Sequence, residues 1–289
     1  MSNETVSLDW NAIATAPLEA LAGFGCLPDD RFPLTAAALA LAAVEVPGAN
    51  LAWYADHLDQ VAGTVSSCLT DDRLESGALG ASEALSEAIA GHHGYRGDDA
   101  TYDDLQNANL VRVIDRRRGL PVALAAVYLH AGRLQGWQLR GIAFPGHFLV
   151  RLDCGGERLV LDPFNGGQRR GPRHLEELLG RMAGAPAVLT REHTRPISDR
   201  ALLIRLANNT KIRHFQAGRQ AEALEVLDAM RLFAPAEPVL WRETALMNLT
   251  LGRLNAASDA ASHLLTLRLT PEERASARRM LDDIARHRH

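Results

Sequence analysis

From Gly146 to Phe164 the chain carries the pattern of a β-hairpin, and this pattern constrains its fold more than any other segment. Phe148, Val150 and Leu152 alternate with His147, Leu149, Arg151 and Asp153. After Gly155-Gly156, Leu159 and Leu161 alternate with Arg158, Val160 and Asp162. A pleated strand demands a period of two, and a glycine pair suits the positive φ angles of a two-residue turn. Such a turn sets Cys154 opposite Glu157, and therefore Leu149 opposite Asp162. One face is then Phe148, Val150, Leu152, Leu159 and Leu161, all apolar; the other carries His147, Asp162 and the opposed pair Asp153 and Arg158. His147 and Asp162 become diagonal neighbours with Cα atoms roughly 7–8 Å apart. A slip of one residue would throw charges among the apolar set, so the pattern favours this register. An aspartate so placed fixes the imidazole tautomer and stabilises its protonated form. The same spacing also fits an ordinary ion pair on a half-solvated sheet.

The segment before the hairpin adds order. Gly119-Leu120-Pro121 opens an apolar run from Val122 to Leu129, with proline where a first helical turn accepts it. After Gly136, residues 138–144 read as a short strand. Helix, strand, then a hairpin bearing His and Asp is the order of the transglutaminase-like, papain-related core. Three stretches then carry a definite resemblance. They are Asn107-Ala108-Asn109-Leu110 with Val113-Ile114-Asp115, Arg117 and Gly119-Leu120-Pro121; Phe144 through Arg151; and Asp162-Pro163-Phe164 with Gly166-Gly167. They resemble the bacterial Sir-type family, transglutaminase-like proteins with tetratricopeptide repeats, whose core is shared by a eukaryotic F-box family. The resemblance implies an α+β fold in three parts. Residues 1–98 form a helical region, 99–195 the core with a small antiparallel sheet, and 196–289 helical repeats. It also implies a His147–Asp162 dyad in a cleft lined by Asn107, Arg117, Pro121, Phe148 and Phe164.

The departure from that pattern bears on chemistry. In active transglutaminase-like enzymes a nucleophilic cysteine starts the core helix just after a glycine. The Sir-type family usually has a serine near the position of Ala123. Here the helix start reads Leu120-Pro121-Val122-Ala123, and neither proline nor alanine attacks a carbonyl. Of the three cysteines, Cys154 falls at the hairpin tip, Cys26 in a Gly/Pro loop and Cys68 in an apolar helical pattern. All three read as structural thiols, with Cys26 on a loop that is able to move. Two readings follow. One is a non-catalytic module whose cleft and repeats bind a protein or peptide; the other is a hydrolase in which the dyad activates water or a non-standard nucleophile.

Towards the C-terminus Gly218-Arg219 recurs as Gly252-Arg253, and Ala223 as Ala257, each 34 residues on. That interval is the tetratricopeptide period. A final helix is expected from Pro271 to His287. The N-terminal part predicts helices over 34–46, 51–69 and 79–92, then a turn-rich bridge from Gly94 to Asp99. The alanine/leucine run 34–46 is too short to span a membrane. The first ten residues lack a basic segment followed by an apolar stretch, and three cysteines make no disulfide framework, so a cytoplasmic protein is expected. With 289 residues and 47% hydrophobic content, core is ample for more than one domain. A net charge of −4 gives no electrostatic case for nucleic acid. The run Asp115-Arg116-Arg117-Arg118 reads as a solvated helix end. His92 and His93 are adjacent and point apart on a helix. No Cys/His ligand spacing appears, so neither a metal nor a cofactor is expected. The Arg/His tail 286–289 reads as frayed.

Overall fold

The computed structural model describes residues 8–184 and 187–287; Met1–Ser7 and the last two residues of the tail lie outside them. The chain divides into two compact units. One holds the residues up to Ala20 with Leu27–Leu206; the other holds Leu21–Cys26 and the chain from Ala207 on. The chain is mostly helical, and among the described residues no helix is long and apolar enough to cross a membrane.

The first unit opens with α1 (Trp10–Thr15), α2 (Pro17–Gly25, which runs on into the second unit), α3 (Leu34–Glu45) and α4 (Leu51–Ser67). Asp9 caps α1 and Asn50 caps α4, each accepting from backbone N–H groups left free at a helix start. Next come α5 (Asp71–Glu75) and α6 (Ala78–Ser86), whose last turn widens into a π-helical segment, Glu87–His92. The Gly94–Asp99 bridge holds a short strand as well as turns. Within it β1 (Arg96–Gly97) pairs in parallel with β2 (Arg118–Gly119), which follows α7 (Leu110–Arg116).

The centre of this unit is α8 (Pro121–Arg133). Alanine-rich and apolar around its whole circumference, it is buried from Pro121 to Leu129 and packs on α4 and on the sheet. The helical N-terminal region and the core therefore share one interior. The sheet has the order β3 (Gln138–Ile142), β4 (Leu149–Cys154), β5 (Glu157–Asp162), β6 (Gln168–Arg169), all antiparallel. Cys154 faces Glu157 and Asp153 faces Arg158, the register expected from the turn. Two details differ from expectation. The strand starts at Leu149, because Gly146 adopts a positive φ of 68° and His147 falls in the bend before it. The second sheet face is also not half-solvated: α9 (Pro172–Ala183) lays Leu175 and Leu179 on Ile142, Phe144 and Leu149. Leu149 and Val160, apolar on the nominally polar face, are what that helix covers.

In the second unit α10 (Asp199–Gln216, entering from the first) is followed by α11 (Gln220–Phe233), α12 (Pro238–Thr250), α13 (Leu254–Leu264) and α14 (Pro271–Arg286). The 34-residue period extends to individual hydrogen bonds. Arg219 N donates to His214 O at 2.9 Å and Arg253 N to Asn248 O at 2.8 Å. Gly218 and Gly252 close the corresponding turns at φ 72° and 70°, angles that favour glycine. Among the described residues no strand occurs from 200 on.

Candidate functional site

The site is organised around Asp162. The end of β5 leads into a 3₁₀ turn, Pro163–Asn165, and this folds the following residues back over the carboxylate. Oδ1 faces His147 Nε2 at 2.9 Å and accepts from Asn165 N at 3.3 Å. Oδ2 accepts from Asn165 Nδ2 at 2.8 Å and from Arg170 Nε at 2.9 Å. The side chain is 1% exposed. Burial alone pushes this carboxyl up, but His147, Asn165 and Arg170 outweigh it and hold it below the usual carboxylate range. An ionised carboxylate is acceptor only, so the His147 nitrogen that faces it, Nε2, carries a proton. The hairpin thus brings His147 and Asp162 together as an oriented dyad, with the imidazole 15% exposed.

The Phe164 and His147 rings meet in a T-shaped contact, with centroids 6.1 Å apart, and Phe164 is itself backed by Tyr102 at 5.9 Å. Its ring lies flat on Gly97: a Cβ there would come within 2.5 Å. The other expected cleft residues serve the interior. Phe148 packs in the core over Gly141, and Pro121 is the buried first residue of α8. Asn107 is fully buried; its Nδ2 donates to Thr101 O at 2.6 Å and its Oδ1 accepts from Arg116 at 3.0 Å. Arg117 sits at the only left-handed non-glycine position among the described residues, φ 54°. Its Nη1 donates to His57 Nε2 at 2.6 Å and Tyr95 Oη at 2.5 Å. The run 115–118 is therefore not a solvated helix end: Arg116 and Arg117 turn inward because Asp98, Asn107, His57 and Tyr95 supply buried partners.

Among the described residues no nucleophile is hydrogen-bonded to the dyad: the His147 ring bonds Asp162 and no serine, threonine or cysteine. Ala123, in the first turn of α8, is fully buried. Cys154 lies at the hairpin turn and the Cys26 thiol faces Ala22 O. Cys68 ends α4, and burial pushes its thiol up, the wrong direction for an activated thiolate. Sequence reasoning missed Tyr128. Its hydroxyl is fully buried and makes no hydrogen bond; burial and the Asp162 charge both raise its pKa. It and Ser86 Oγ flank Gly167, where a Cβ would come within 2.7 and 2.4 Å. A lone tyrosine in the apolar run 122–129 was the available signal.

Helix, antiparallel sheet and an oriented His–Asp pair on one hairpin define a transglutaminase-like core. The family model of the transglutaminase-like superfamily matches residues 52–208, more than half of the chain, and the chain belongs to that superfamily. Within it the chain is similar to the bacterial UPF0162 proteins. Identity is 28% over 261 residues to the UPF0162 protein of Xylella fastidiosa strain 9a5c, covering 89% of this chain and 88% of that one. It is 32% over 209 residues to the UPF0162 protein of Pseudomonas aeruginosa, covering 72% and 73%. Mouse F-box only protein 21 is 30% identical over 100 residues, 35% of this chain and 16% of that protein. No solved structure matches.

Proposed function

We propose that this chain is a non-catalytic transglutaminase-like protein, a cytoplasmic regulatory scaffold that binds a protein or peptide. The dyad without a nucleophile carries this reading: His147 and Asp162 are paired at 2.9 Å, and the helix start offers Ala123. Covalent acyl transfer needs a thiol or hydroxyl beside the imidazole. An imidazole acting on water supplies roughly 10²–10⁴-fold by general-base catalysis, short of the ~10⁶-fold or more that enzymes reach. The second unit supports binding. A groove of about 450 Å³ there is walled by Ile212 and Phe215 of α10 and by Leu246 and Met247 of α12. Asn208 Oδ1 in its lining makes no hydrogen bond, so the groove suits an apolar segment that carries a donor. On this reading the 34-residue helical units are tetratricopeptide-type repeats, and the groove is their ligand face.

One observation favours the alternative, a protease- or amidase-like hydrolase. Asp162 is held below the usual carboxylate range and pairs with His147 Nε2, the orientation that a water-activating imidazole requires. Assays on peptide and amine-transfer substrates, with and without a thiol alkylating agent, separate the two. Turnover lost only in His147→Ala supports the hydrolase; turnover also lost on alkylation points to a cysteine. No turnover, with display-selected peptides that bind the full chain and are lost in Phe215→Ser, supports the scaffold.

A further inference from the structure

We infer that Cys68, Glu87 and His92 form a binding site for a divalent cation of the zinc class. One atom from each, the thiol sulfur, a carboxylate oxygen and an imidazole nitrogen, lies within 4.8 Å of the other two. The three residues come from two elements, the end of α4 and the π-helical segment after α6.

That π turn puts the ligands on one side. In an α-helix, residues five apart stand roughly 140° apart around the axis, so Glu87 and His92 would diverge. Hydrogen bonds of the i→i+5 type stack them instead. His93 N donates to Ala88 O at 3.0 Å, as that geometry requires, and His92 Nε2 comes within 3.5 Å of Glu87 Oε1. His93 turns away to Thr64 Oγ1 at 2.8 Å. The adjacent histidines do point apart, and this directs one of them to Cys68.

The surroundings suit a metal. Arg73 Nη2 holds the other carboxylate oxygen, Glu87 Oε2, at 2.6 Å, and Arg73 Nη1 donates to Cys68 O at 2.8 Å. One guanidinium thus braces two of the three ligands from outside, as outer partners brace metal ligands elsewhere, and leaves Oε1 available. A sulfur, nitrogen and oxygen set matches zinc, with a fourth position left to water. Bonds of ~2.0–2.3 Å in a tetrahedron separate ligand atoms by roughly 3.3–3.8 Å, a range the His92–Glu87 pair already meets at 3.5 Å, so shifts of about 1 Å bring in the rest. Glu87 and His92, with side chains 45% and 57% exposed, have the freedom to do so. On binding, the Cys68 thiol releases its proton to solvent and coordinates as thiolate. The site shares no residue with the His147–Asp162 dyad and does not depend on the function proposed above.

The test is a cobalt titration of the full-length reduced protein, stripped with chelator, followed by zinc displacement. One equivalent of cobalt should raise a thiolate-to-cobalt charge-transfer band with the intense visible bands of a four-coordinate ion, and zinc should remove both. Cys68→Ser should abolish the charge-transfer band, while Cys154→Ser retains it. His92→Ala and Glu87→Gln, at exposed positions, should each weaken cobalt binding at least as much as the ~10–100-fold that losing an outer partner costs. No charge-transfer band in the unaltered protein, or a band that persists in Cys68→Ser, overturns the inference. If Cys68→Ser fails to fold, unchanged cobalt affinity in both exposed-ligand variants overturns it equally.

Discussion

His57 shows how one buried side chain sets a pH limit on the fold. It accepts from Arg117 through Nε2, so protonation there would bring two cations into contact. Burial first, then Arg117 and His93, depress its pKa to about 4. The unfolded value lies near ~6.5, so as pH falls the unfolded chain takes up this proton before the folded one does. The stability associated with neutral His57 is complete above ~6.5 and is lost as pH falls from there through about 4. Melting temperatures measured between pH 4 and 7 should fall across this window, and His57→Gln should flatten that slope. Asp98 acts lower on the scale. Thr101, Asn107 and Arg116 hold it down to about 2 against the effect of burial, so its contribution is present above ~3.9 and fades as pH drops towards 2. The arginine run was legible as the end of a helix. Its partners were not, since His57 lies 60 residues from Arg117 and Tyr95 lies 22 away. A local pattern reports a charge but not the distant group that receives it.

At the scale of elements, glycines mark where backbone comes too close for a side chain. Gly97→Ala places a methyl against the Phe164 ring, so the ring must leave and His147 loses its aromatic neighbour. The expected outcome is a shift of the His147 imidazole resonances in NMR with the Asp162 pairing retained; unchanged resonances would mean the strand moved instead. Gly167→Ala meets a positive φ of 78° together with Ser86 and the Tyr128 hydroxyl. It should cost about 1–2 kcal/mol for the left-handed backbone and about 1–3 kcal/mol more for overpacking, read by denaturant unfolding. Ala123→Leu, in the fully buried first turn of α8, should cost about 1–3 kcal/mol by overpacking alone. The register of β4 and β5 was legible because the glycine pair and the alternation agree. The cover given by α9 was visible only as two apolar residues, Leu149 and Val160, on the wrong face. The π turn has no sequence signal comparable to a cap or a glycine, because tertiary packing sets its wider ring.

At the scale of the whole molecule, the chain forms two compact units. Ala257, fully buried with Ala245, Ala261 and Ile284, belongs to the second. Ala257→Leu should raise amide exchange across α11–α14 and leave protection in α8 unchanged, measured by hydrogen–deuterium exchange with mass spectrometry. Faster exchange in α8 as well would show that the two interiors unfold together. The fold was readable at this scale because the motif residues are those that hold it: Asp162 gathers its turn, Gly167 admits Tyr128, and Pro121 starts the central helix. The reaction was less readable, because the same residues serve the interior whether or not a nucleophile is present.

The sheet has one more consequence, for the way a partner is read. Along the outer side of β3, Leu139 O accepts from Arg133 Nη2 at 3.0 Å and Gly141 O accepts from Ile197 N at 2.9 Å. Ile142 bridges to Pro196, and Asp199 anchors Arg133. The opposite margin is the two-residue β6. These contacts cover the outer side of β3 at Leu139, Gly141 and Ile142, where an added strand would pair. Main-chain pairing along β3, which accepts almost any sequence, would have to displace Pro196 and Ile197. On the reading proposed above, a partner would be recognised by side chains and so by its sequence, and the covered β3 edge opposes the edge-to-edge association that seeds fibrils.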